Sequence, residues 1–114
     1  MAYPKEVNYD PRRSLAFGGI GAAYAQVGTS FTRPVRLIKL VNTSNQAMDV
    51  SADGVIDHDI LPANAFYLYD LTSNKVRDEG AFFRVGAGVW VKSTSGVAPT
   101  SGAVYAVVIC GATP

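Results

Sequence analysis

Along most of the chain, short apolar runs alternate with clusters of glycine, proline, asparagine and aspartate. No stretch carries the apolar spacing of an amphipathic helix. Pro34 precedes Val35-Arg36-Leu37-Ile38-Lys39-Leu40-Val41, a run rich in branched side chains that suits a pleated strand. Asn42-Thr43-Ser44-Asn45 is a turn cluster, and residues 47–50 predict a second strand. Asp53-Gly54, between Val50 and Val55, is the strongest tight-hairpin signal in the chain. It predicts a strand over 55–61, after which Pro62-Ala63-Asn64 turns the chain again. In 65–71, Phe66 and Leu68 alternate with Tyr67 and Tyr69, predicting one buried and one amphipathic face. Residues 81–85 and 89–91, joined by Gly86-Ala87-Gly88, predict a further hairpin.

The last strand, 103–110, is apolar on both parities: Val104, Ala106 and Val108 on one, Tyr105, Val107 and Ile109 on the other. Such a strand is either central with both faces covered or part of a subunit contact. Short strands at regular spacing without a helix predict an all-β fold, an antiparallel β-sandwich that is jelly-roll-like, with a small barrel as the close alternative.

The leading residues have a different texture. Pro4, Pro11, scattered glycines and tyrosines give no clear period, so 1–30 reads as an extended N-terminal arm followed by short strands, and 31–114 as the sandwich domain. The arm proper, 1–14, holds Tyr3, Tyr9, Arg12 and Arg13, residue types that favour protein interfaces. It is expected to contact a neighbour, and deletion of 2–13 is expected to leave the domain folded.

Composition narrows the function. A chain of 114 residues suits one domain with a real core. With 48% hydrophobic and only 17% charged residues, part of the apolar surface is expected to meet partners. A net charge of +1 argues against a nucleic-acid binder held by phosphate neutralisation. The charge is nonetheless uneven: residues 1–39 are basic and 40–79 acidic, so the two could attract within a chain or between neighbours. The single Cys110 excludes a disulfide within the chain and a cysteine zinc site, and reads as a buried, inert thiol. The N-terminus carries no signal-peptide pattern, and the longest apolar candidate, 15–27, is broken by Gly18, Gly19 and Gly21. Synthesis in a cytoplasm and no membrane contact are the expectation.

Candidate chemistry is sparse. Gly18-Gly19-Ile20-Gly21-Ala22-Ala23-Tyr24 superficially has the look of a dinucleotide-binding turn, but Tyr24 occupies the third glycine position and no βαβ rhythm follows. Asp57-His58-Asp59 would place both carboxylates on one face of a strand, and a calcium ion would need Asp49 or Asp53 to join them. No nucleophile partners His58, so neither an enzyme nor a cofactor is expected. Tyr67, Tyr69 and Trp90 could stack on sugars from an exposed sheet face, or anchor a protein interface together with Tyr105.

Phe31-Thr32-Arg33-Pro34-Val35-Arg36-Leu37-Ile38-Lys39-Leu40-Val41-Asn42-Thr43-Ser44, then Ser51-Ala52-Asp53-Gly54-Val55-Ile56-Asp57-His58-Asp59-Ile60-Leu61-Pro62-Ala63, Phe66-Tyr67-Leu68-Tyr69-Asp70-Leu71 and the closing 100–109, together resemble small structural proteins of tailed bacteriophages. The resemblance is to the capsid cement (decoration) kind. It implies a β-sandwich or jelly-roll protein in the virion that binds the major capsid protein outside the shell. Small phage proteins of the head–tail junction or tail share this appearance. The two-faced strand 103–110 predicts a homo-oligomer, with a trimer slightly favoured over a dimer, and the resemblance implies dimers or trimers on shell symmetry axes.

Overall fold

Among the described residues there are nine strands, the longer ones built on branched and aromatic side chains: β1 Val7–Tyr9, β2 Arg13–Ala16, β3 Ala25–Gln26, β4 Val35–Asn42, β5 Met48–Ser51, β6 Asp59–Leu61, β7 Phe66–Asp70, β8 Trp90–Ser93 and β9 Ala103–Gly111. They belong to a computed structural model that describes residues 7–33, 35–70 and 86–111. Its first sheet runs β1-β9-β4-β7, with β2 also on β9, and its second runs β3-β8-β5-β6. All pairings are antiparallel. The pairs are nested: β5 with β6, β4 with β7, β3 with β8, and β1 and β2 with β9. The two sheets close on one core, with Ile38, Leu40, Val104 and Val108 from the first against Met48, Val50, Leu61 and Val91 from the second. Each such side chain contributes about 1.5–3 kcal/mol of burial.

The two-faced strand is central. β9 has β4 on one side and β1 and β2 end to end on the other. Val104, Ala106, Val108 and Cys110 are fully buried, while Tyr105, Val107 and Ile109 are half-exposed.

That pairing corrects the reading of the leading segment. From Val7 onward it is a sheet edge and not a free arm, because the open side of β9 offers it a ladder: Tyr9 sits opposite Ile109 and Arg13 opposite Ala106. Between the two strands the Asp10 N–H donates to the Val108 carbonyl at 3.0 Å. Tyr3 lies outside the described residues.

Three local expectations also change. The Asp53-Gly54 hairpin opens into a loop over 52–58, because Val50 pairs with Asp59 and β6 begins only there. Loop hydrogen bonds replace the ladder: Asp53 Oδ1 accepts from the Val55 and Ile56 N–H groups at 2.8 and 3.0 Å, and Ser51 Oγ accepts from Gly54 N at 2.9 Å. In β7 the amphipathic face is the inner one, with Tyr67 and Tyr69 packed on the core and Phe66 and Leu68 exposed. The predicted strand 81–85 lies outside the described residues. The glycine segment forms a single 3-10 turn, Phe17–Gly19, and among the described residues there is no α-helix for a dinucleotide turn to open.

Asn42, at the end of β4, is 1% exposed and ties the next turn to the far end of β6. Its amide donates to the Gln46 carbonyl at 2.9 Å and the Pro62 carbonyl at 3.2 Å, and its oxygen accepts from Ser44 N at 3.0 Å and Ser44 Oγ at 2.7 Å. A buried amide with every group used fixes the turn more firmly than turn propensity alone.

Candidate protein interface

The register aligns the outward side chains of the first sheet into three rows. Phe66, Val41, Tyr105 and Ser14 form one, Leu68, Lys39 and Val107 the next, and Asp70, Leu37, Ile109 and Tyr9 the third. Tyr9, Phe66 and Leu68 are 72%, 65% and 55% exposed, and Leu37, Val41, Tyr105, Val107 and Ile109 are half-exposed. The result is an apolar swath with Lys39 at its centre and Asp70 at one corner. Arg12 lies over the Tyr105 ring, 4.9 Å from its centroid, and adds a second cation to this face. A contiguous exposed patch of this kind marks an interaction surface.

Of the expected interface residues, Tyr9, Arg12 and Tyr105 meet on this face. Arg13 does not. It is 8% exposed and turned into the fold, donating to the Thr29 carbonyl at 2.8 Å and to Asp10 Oδ2 at 3.2 Å. Its guanidinium is 5.1 Å from the Phe31 ring centre, so it holds β2 against the loop before β4. Tyr67 and Tyr69 point inward, and Trp90 lies on the second sheet, on the opposite side of β8 from the core residue Val91. These three therefore form no common stacking platform. Phe66, Leu68, Leu37, Val41, Val107 and Ile109 were missed as site residues. Their signal was the unbroken apolar character of both parities in β9 together with the alternation of β7, which fits either facing.

The second sheet carries the opposite charge on its outside. Asp57 accepts a hydrogen bond from Tyr24 and lies 3.3 Å from Lys92, whose ammonium is 4.7 Å from the Tyr24 ring centre. The Tyr24 bond and Lys92 hold the Asp57 carboxyl below its ordinary range. Two loop N–H groups and the Ser51 hydroxyl hold Asp53 down at about 2. Asp49 accepts from Thr94 Oγ1 at 2.9 Å. Loop 52–58 crosses Trp90 so closely that a Cβ at Gly54, whose φ is 79°, would meet the indole at 3.3 Å. At the tip of this loop Val55 and Ile56 are 78% and 57% exposed.

Asp57-His58-Asp59 does not act as one group. Asp57 lies in the loop and Asp59 in β6, so the expected shared strand face does not form. His58 Nδ1 accepts the Ala52 N–H at 3.0 Å. Asp59 accepts from Tyr69 at the mouth of a largely apolar cavity of about 280 Å³ between the sheets. Burial first, and the Asp59 carboxylate second, push the Tyr69 hydroxyl up. Among the described residues no three acidic, histidine or cysteine groups converge as a metal site. Burial also raises the Cys110 thiol, which keeps it protonated and unreactive.

Comparison with protein-family models, with curated proteins and with solved structures gave no match for this chain. The functional reading therefore rests on the geometry of this surface and on the sequence resemblance.

Proposed function

We propose that the protein is a non-enzymatic structural component of a tailed-phage virion, a capsid cement (decoration) protein that associates with the major capsid protein and with copies of itself. The observation that carries this reading is the apolar outer face of the first sheet, which suits burial under another protein. The strand order supports the jelly-roll part of it. With β1 and β2 counted as one edge strand, eight strands wind so that first pairs with last and the pairs nest inward. Viral shell proteins and lectins both use that winding, but a lectin reading is weaker because Tyr67, Tyr69 and Trp90 share no face.

A cement protein must prefer the assembled lattice over dispersed subunits, and modest affinity per copy suffices when many copies act on one shell. The test is co-sedimentation of the purified protein with expanded empty capsids, with isolated tails and with a glycan array as the other arms. Saturable binding to capsids is the expected result. Retention on glycans or tails with none on capsids would overturn the assignment.

A further inference from the structure

We infer that copies of this chain join head to tail, the tip of loop 52–58 of one copy seating on the outer face of the first sheet of the next. The inference rests on that face being an assembly surface and names its partner. Charge decides the occupant. Lys39 stands in the middle row, between Leu68 and Val107, and Arg12 flanks it over Tyr105. If two such faces met centre to centre about a two-fold axis through the middle row, their lysines would be brought together inside an apolar contact, with Asp70 at the rim, which opposes a symmetric face-to-face dimer. The face instead calls for a partner that presents apolar side chains beside carboxylates.

The chain carries such a surface on its other sheet. Val55 and Ile56 project from loop 52–58 between Asp53 and Asp57, with Asp49 behind them and Lys92 as the neighbouring cation. The loop is pre-shaped: the Asp53 carboxylate grips two of its N–H groups, Asp57 is held by Tyr24, and Gly54 lies on Trp90. A rigid tip loses little conformational freedom on docking. The apolar pair fits the swath around Phe66 and Leu68, and the flanking carboxylates fit Lys39 and Arg12. The two surfaces belong to different sheets of one sandwich, so after a single contact one copy keeps its face free and the other keeps its tip. Such a contact is heterologous. It closes into a ring when the rotation allows, of which a trimer is the smallest case, and otherwise extends.

Two double variants test this without capsids: Val55→Asp with Ile56→Asp at the tip, and Phe66→Asp with Leu68→Asp on the face. All four positions are exposed, and each variant's thermal melt is expected to match that of the wild type. Sedimentation velocity of the wild type is expected to show association that rises with concentration and weakens with salt. Each variant alone should be monomeric. Mixed one to one, they should form a dimer and nothing larger, because each retains one working half. Lys39→Glu should weaken association about tenfold. A wild type that stays monomeric at all concentrations, a tip variant that still associates, or a mixture that fails to pair would overturn the inference. Self-association without capsid binding would overturn only the cement assignment, and capsid binding by a strict monomer only this one.

Discussion

Asp10 is 7% exposed and sits between two guanidiniums, Arg13 at 3.2 Å and Arg33 at 2.5 Å. The bond from Arg33 is the main influence that holds its carboxyl below the ordinary range, with Arg13 adding to it against the opposing effect of burial. Removal of Arg13 would leave a buried carboxylate short of a partner and a void beside Phe31. Arg13→Ala is therefore expected to cost about 3 kcal/mol in denaturant unfolding, and Arg33→Ala less, because it leaves the carboxylate short of a partner but opens no void beside Phe31. The pH dependence has a definite sign. A carboxyl whose folded value is depressed adds stability above its unfolded value near 4, and that stability is lost as pH falls through the folded value. Asp10 and Asp53, the latter at about 2, both act this way. The melting temperature is expected to hold level from pH 7 to 5 and to fall below about pH 4. Asp10→Asn should lower the plateau and shrink the acid decline.

At the scale of elements, the joints carry as much as the strands. Gly102 enters β9 at φ 84°, and a Cβ there would run into the Thr43 carbonyl, so Gly102→Ala forces the chain out of its pairing with the β4–β5 turn. A loss of at least 1–3 kcal/mol is expected, roughly the cost of one strained residue, read by thermal melting. Asn42→Ala should cost about 2–3 kcal/mol by the same measurement, since several buried groups lose their partner together. The strands themselves were largely legible. β4 and β9 announce themselves through branched runs, and the turn at Asn64 through its tolerance of φ 56°. Long-range register was not legible. Nothing local in 7–16 says that its ladder partner is β9, since pairing of the first strands with the last is set by the open edge they find. The facing of β7 was equally hidden, because the partner that lets the Tyr69 hydroxyl turn inward, Asp59, lies on the other sheet. The apolar outer face of the first sheet was half legible: β9 showed excess apolar surface, while Phe66 and Leu68 read as core.

For the whole molecule, the edge position of β1 and β2 reverses what truncation should do. Deletion of residues 2–13 removes β1 and Arg13 and bares β9 from Ala106 onward on that side, leaving only Ser14–Ala16 paired with it. The shortened chain is expected to melt well below the full chain by circular dichroism and to aggregate through that exposed edge. An unchanged melting curve would return the segment to the role of a free arm. The nested pairing has a further consequence, one of timing. The innermost hairpin, β5 with β6, can close as soon as it leaves the ribosome, whereas Tyr9 waits for Ile109, about 100 residues later. At about 5–20 residues per second that wait lasts on the order of 10 s, long beside the milliseconds to seconds in which β-sandwiches fold. Once β4 has been made, its β9 side stays an unpaired edge, open to every neighbouring nascent chain, until β9 follows. Synthesis and not folding then sets the pace at which finished protein appears, and a chain released one strand early has no sandwich to close.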